Sequence, residues 1–183
     1  MQKFLLHTCC APCSIAVIDE LKNQYDLTVF FYNPNIYPEE EYLKRKQEVV
    51  KICQEWGVPI VDHDYNETDL WNKAVLGFEE EPEGGTRCAV CLRFRMAKTV
   101  EYAQLHGFNY WGTSLTSGRN KSAAVIGGIG KAFGKIHKKT KFYNVDWKKG
   151  GRQEKAVKLV VERQIYRQNY CGCKFSMEKN YEG

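Results

Sequence analysis

The sequence has no long apolar run. Nothing in its 183 residues approaches the roughly 18 consecutive apolar positions that a membrane-spanning helix needs. Its opening residues lead into a short apolar stretch that stops at His7, too brief for the hydrophobic region of a secretory signal. A cytoplasmic setting without membrane attachment is therefore expected, one in which thiols stay reduced. No Gly-rich phosphate loop follows the first predicted strand, so a nucleotide's phosphates would lack a backbone cradle there. Internal repeats, linkers and low-complexity segments are also missing. Strong charge of one sign is absent too. The net charge of +5 and isoelectric point near 8.7 permit a polyanionic partner without requiring one.

What the chain does have is cysteine. Of eight, seven fall in three tight groups, Cys9/Cys10/Cys13, Cys88/Cys91 and Cys171/Cys173, while Cys53 stands apart. A chain of this length and 43% hydrophobic content builds its own core. Disulfide staples are then unnecessary, and clustered thiols point to metal or redox chemistry. Cys53 shares an apolar helical face with Val49, Val50 and Trp56, and reads as a buried, inert thiol.

Phe4–His7 reads as a buried strand, followed by a helix from Cys13 to about Lys22. Leu27–Tyr32 is a second buried strand, and Glu39 to Trp56 a helix stopped by Gly57. Strand three spans Val58–Asp62, and a helix covers about Thr68–Leu76. An acidic segment from Phe78 to Gly85 reads as a solvated connector or lid. A long helix runs from Cys88 to His106, and Asn109–Ser114 forms strand four. A glycine-diluted helix over Ala123–Phe133, a strand over Lys141–Asp146 and a helix over Glu154–Gln164 complete the pattern. Strands alternating with helices predict an α/β fold with a mainly parallel sheet and helices on both faces. The whole chain, 1–183, is expected to form one metal-binding domain, with 165–183 a Cys-bearing tail folding back over the site.

Three chemistries suit the thiols. Cys10-Ala-Pro-Cys13, between a strand and a helix, has the spacing of a redox dithiol, though this leaves Cys9 and two further pairs unexplained. Cys88-x-x-Cys91 with Cys171-x-Cys173 could close a tetrahedral zinc site. An iron–sulfur cluster also takes thiolates, and seven thiols suit a cluster with a neighbouring mononuclear metal or a separate redox pair. Convergence is geometrically plausible, since strand one ends where the Cys88 helix starts if both use the same sheet edge.

The ordered motifs resemble one family. Cys9-Cys-Ala-Pro-Cys-Ser14, Tyr32-Asn-Pro-Asn-Ile36 with Tyr42 and Arg45, Arg87-Cys-x-x-Cys91 with Arg93 and Arg95, Thr113-Ser-Leu and Tyr170-Cys-Gly-Cys173 are together similar to the QueH-type epoxyqueuosine reductases. The resemblance implies a fold of the nucleotide-binding HUP/PP-loop group, with the cysteine motif where relatives carry a phosphate loop. It implies cobalamin-independent reduction of the epoxide of epoxyqueuosine in tRNA, the last step of queuosine biosynthesis. The implied partners are the tRNA anticodon stem–loop and an external electron donor. The implied cofactor is a 4Fe-4S cluster, alone or with an additional mononuclear iron.

On that basis Cys10, Cys88 and Cys91 are expected to hold the cluster, with Cys9, Cys13, Cys171 and Cys173 completing it or holding a second iron. Cys9 and Cys13 are also expected at the reaction centre. Asp64 is a candidate oxygen ligand or proton relay, and Tyr32 a candidate for stacking on or hydrogen-bonding the base. Arg93, Arg119, Lys121, Lys148 and Arg152 are candidate phosphate contacts, with Arg119 and Lys121 foremost. Two other readings remain open: a PP-loop-type tRNA-thiolating enzyme, weakened by the missing phosphate loop, and a zinc-stabilised RNA-binding module without catalysis.

Overall fold

A computed structural model describes residues 1–62 and 65–178. Five strands, β1 (Lys3–Thr8), β2 (Asp26–Phe31), β3 (Ile60–Asp62), β4 (Tyr110–Thr113) and β5 (Lys141–Phe142), form a parallel sheet in the order β3-β2-β1-β4-β5. Seven helices accompany it among the described residues: α1 (Ala11–Leu21), α2 (Glu39–Glu55), α3 (Thr68–Ala74), α4 (Thr86–Leu105), α5 (Ala123–Ile136), α6 (Arg152–Glu162) and α7 (Lys174–Glu178). None is long and apolar enough to cross a membrane.

Strand alternation divides the core into two layers. Phe4, Leu6, Val29 and Phe31 face α1 and α2, meeting Ile15, Ile18, Val49 and Ile52. Leu5, Phe30 and Trp111 face the other side, where Met96 and Val100 of α4 and Ile126 and Phe133 of α5 cover them. Both faces of the central strands are thus buried, which explains why they read as continuous apolar runs rather than alternating ones.

Most element ends shift by a few residues from the sequence expectation, and three differences stand out. The first helix begins at Ala11 with Pro12 in its opening turn, because proline's missing N–H costs nothing there. Strand five has two residues rather than six, and beyond it Val145 and Trp147 bond to the Thr116 hydroxyl instead of a neighbouring strand. The described part of the tail carries a short helix, α7, that no periodic pattern announced. Among the glycines of α5, Gly130 has a clear packing reason: a Cβ there would lie 2.1 Å from the Phe142 ring, so only glycine admits the helix this close to β5.

Candidate metal centre and its cationic shell

The strand order reverses between β1 and β4, and ligands of open α/β sheets sit at the carboxyl edge of such a reversal. The first thiol group occupies that edge. Cys9 leaves β1, Cys10 is the extended N-cap of α1 and Cys13 lies in its first turn. Their three sulfurs all lie within 4.8 Å of one another.

Such crowding cannot hold three independent charges. Cys10 is pushed well below the ordinary thiol range by hydrogen bonds from Cys13 and Cys9, against its burial, with further help from the Arg45 charge and the Gln168 amide. Cys9 and Cys13 are pushed up, chiefly because their bonds to Cys10 hold their protons. The trio therefore concentrates one thiolate on Cys10, at a helix N-terminus that favours negative charge.

The other thiols arrive from two directions. Cys88, in the first turn of α4, accepts the Gly84 N–H at 3.2 Å. Cys91, one turn on, is buried with Trp71, Val75 and Cys173. Cys171 accepts from Lys121 Nζ at 3.0 Å, while Cys173 lies 3.6 Å from Ser176 Oγ. The two tail thiols thus have different hydrogen-bond partners. Among the described residues, only Cys9, Cys10 and Cys13 meet as a compact group of potential metal ligands.

Arg95 ties the groups together. It is buried, and burial alone would weaken its charge, but the fields of Cys91, Cys9, Cys171 and Cys88 outweigh that cost and hold it protonated. One guanidinium on α4 thus feels thiols from all three sequence groups. Lys121 is likewise held protonated against its burial, mainly by Cys171. Arg45 anchors the tail, donating to the Cys171 carbonyl at 3.0 Å and the Tyr170 carbonyl at 3.2 Å, and pairing with Glu41 at 2.6 Å.

These residues fit a thiolate-bound metal. Soft sulfur donors select zinc, copper(I) or iron–sulfur centres. Buried cations balance the charge such centres carry. Around Cys91, the Trp71 indole N–H is directed at the thiol, and two guanidinium nitrogens of Arg87, Nε and Nη2, are buried without a hydrogen-bond partner among the described residues. Trp71 favours the anionic form of Cys91, although burial dominates and pushes that thiol up. Unpaired buried donors cost stability unless an acceptor completes them. An anionic centre is such an acceptor.

The remaining predicted residues take varied places. Asp64 lies outside the described residues. Tyr32 is buried, its ring stacked on Phe94 with centroids 6.2 Å apart and its hydroxyl donated to Glu67, which Lys98 meets at 2.6 Å. Lys148 Nζ donates to the carbonyls of Lys121 at 2.7 Å and Arg119 at 3.4 Å, bracing their loop. Arg152 pairs with Glu20 at 2.7 and 2.9 Å. Arg93 lies over the Phe133 ring at 5.8 Å. Arg119 is exposed and makes no ion pair among the described residues. Cys53 is a deeply buried thiol pushed up to about 12 by desolvation, as expected of inert packing. The acidic segment is wrapped on Arg87 Nη1, which donates to the carbonyls of Phe78, Glu79 and Glu81.

Sequence reasoning placed neither Gln168 nor Arg45 at the site. Gln168 donates to Cys10 Sγ at 3.0 Å, and no motif marked it. Arg45 did leave a trace, as a charged residue on the helical stripe of Tyr42, Val49, Ile52 and Cys53, where an unpaired charge is not tolerated.

A cavity of about 350 Å³ opens beside the first thiol group. Cys9 and Cys13 reach it from the sheet edge, Arg119 and Lys121 from the loop after β4, and Arg167 and Cys171 from the tail.

Comparisons with known proteins agree on one family. A family profile described as "Epoxyqueuosine reductase QueH" matches residues 4–179. The chain is 37% identical over 176 residues to a protein of that name from Histophilus somni (strain 129Pt), covering 96% of this chain and 72% of that one. It is 34% identical over 184 residues to another from Thermotoga maritima, covering 100% and 94%. Among solved structures it is similar to "U34-tRNA thiolase NcsA from Methanococcus maripaludis with its [4Fe-4S] cluster", at TM-score 0.62 and 15% identity. That match covers 96% of this chain and 61% of the other, and speaks for the fold.

Proposed function

The chain belongs to the epoxyqueuosine reductase QueH family, and from that premise we propose that its seven grouped thiols hold an iron–sulfur cluster that serves the reduction of epoxyqueuosine in tRNA. Converting the epoxide to the alkene takes up two electrons and two protons and releases the oxygen as water. A cluster held by these thiolates would supply electrons one at a time and a Lewis acid for the epoxide oxygen.

Cys10, Cys88 and Cys91 hold the cluster in this reading, and Cys9, Cys13, Cys171 and Cys173 complete it or hold a second iron. The cluster is of the 4Fe-4S type. Arg95, Arg45 and Lys121 offset its negative charge. Asp64 remains a proposed ligand or relay and Tyr32 a proposed contact to the base. The basic loop after β4, with Arg119 foremost, meets the tRNA backbone, and an external one-electron donor supplies reducing equivalents in the cytoplasm. The tail from residue 165 closes over the centre as part of a single domain, its residues 179–183 lying outside the described ones. The observation that carries this reading is the meeting of the Cys9, Cys10 and Cys13 sulfurs, all within 4.8 Å of one another, at the carboxyl edge of the sheet in a chain of this family.

The test is anaerobic assay of iron-replete protein on epoxyqueuosine-bearing tRNA with a strong one-electron donor, reading nucleosides by mass. Conversion to queuosine is expected, from brown protein absorbing near 400 nm. Colourless, zinc-loaded protein that binds tRNA without converting it would overturn the reading.

A further inference from the structure

Cations of the cavity beside Cys9 and Cys13 are not equivalent. Four line it, Arg119, Lys121, Arg152 and Arg167, against one carboxylate, Glu83. Lys121 is committed to Cys171 at 3.0 Å, and Arg152 to both oxygens of Glu20. Arg119 and Arg167 are exposed and form no side-chain hydrogen bond or ion pair among the described residues. Yet each backbone carrier is held in place. Lys148 braces the Arg119 carbonyl, while the neighbours of Arg167 are fixed by Tyr166 donating to Glu41 at 2.9 Å and Gln168 donating to Cys10 at 3.0 Å. Fixed carriers with uncommitted guanidinium groups lose little entropy on gripping an anion, and the guanidinium fork matches phosphate geometry.

Cys9 and Cys13 line this cavity, which a stacked base in a folded loop does not enter. The volume of about 350 Å³ falls in the range of small-molecule pockets. Enzymes that act on a base take it out of the stack. Resting on the reductase reading, we infer that the cavity receives a single extruded nucleotide, whose flanking phosphates are gripped by Arg119 from the β4–α5 loop and Arg167 from the tail. Lys121 and Arg152 then serve the protein rather than the RNA. The tail acquires a second role, since the segment carrying Cys171 also carries one half of the phosphate grip.

The experiment measures equilibrium binding of epoxyqueuosine-bearing tRNA to iron-loaded protein across a salt series. Arg119→Ala and Arg167→Ala should each weaken binding about tenfold and lower the slope of log K against log salt by about 0.7 to 1. Lys51→Ala, which removes a charge from α2 outside the cavity, should leave the slope in place. A fluorescent base analogue beside the modified nucleotide should brighten on binding as its stack opens. Unchanged slopes in both arginine variants, an equal change in the Lys51 variant, or no brightening with wild type would each overturn the inference. Because these readouts need no turnover, they fail separately from the reductase reading. Wild type that reduces the tRNA while both arginine variants keep the full slope defeats the grip alone. Wild type that binds with the expected slopes but converts nothing defeats the reductase reading alone.

Discussion

The side-chain amide of Gln168 donates to Cys10 Sγ at 3.0 Å, joining the tail to the thiol that carries the charge of the first group. An N–H directed at a thiolate favours the more negative, reduced state of any cluster it ligates. Gln168→Leu is expected to shift the midpoint potential of the iron-loaded protein to more negative values while iron content stays unchanged. Redox titration followed by electron paramagnetic resonance reads the shift. An unaltered potential would show that Cys10 ligates nothing redox-active.

Cys88 and Cys53 should separate cleanly. Cys88→Ser is expected to lose iron and reductase activity together, as a proposed ligand at the start of α4. Cys53→Ala leaves iron content unchanged and costs roughly 1–2 kcal/mol, because it only removes packing from the α2 face. Iron analysis and denaturant unfolding distinguish the two.

Gly172 sits between the tail thiols at φ +130°, and a Cβ there would lie 2.9 Å from Arg45 Nη1. Gly172→Ala therefore combines backbone strain of about 1–3 kcal/mol with displacement of the guanidinium that holds the Cys171 and Tyr170 carbonyls. Increased proteolysis after residue 165 and reduced iron loading are the expected outcomes. Normal values of both would mean that the tail does not depend on this contact.

His7 gives the fold a pH limit. It is fully buried behind Cys9, with Nε2 donating to the Tyr32 carbonyl at 3.1 Å, so Nδ1 accepts from the Thr113 hydroxyl at 3.0 Å. Desolvation, with the Arg95 charge, lowers its pKa from 6.5 to about 4. The native state therefore favours neutral imidazole. The resulting stability is fully present above pH 6.5, declines as pH falls, and is lost below about pH 4, a change of about 3 kcal/mol. Denaturant unfolding across this range should show a steeper loss in wild type than in His7→Gln. Parallel curves would mean that His7 does not govern the limit.

Thr113→Val should cost about 1–3 kcal/mol by leaving His7 Nδ1 without its donor. The hydroxyl also accepts the Leu115 N–H at 3.2 Å, so the loop carrying Arg119 and Lys121 loosens with it. Unfolding midpoints and the mobility of that loop check both effects.

The α/β alternation, the inert character of Cys53 and the grouping of the other seven thiols were legible in the sequence alone. All three follow from local spacing: apolar runs bury strands on both faces, a thiol on an apolar helical stripe is packed inward, and paired cysteines in a chain with its own core need a chemical reason. The strand order β3-β2-β1-β4-β5, by contrast, is a matter of long-range pairing. It places the β4 loop beside Cys9, and neither segment's own pattern contains that fact. Tertiary contact also divided the basic residues, since only a folded partner such as Glu20, Cys171 or a loop carbonyl can commit a side chain that reads simply as charged. Gln168 is the extreme case. It is one polar residue in an aperiodic tail, and it acquired a role only when the fold brought it to Cys10, 158 positions away in sequence.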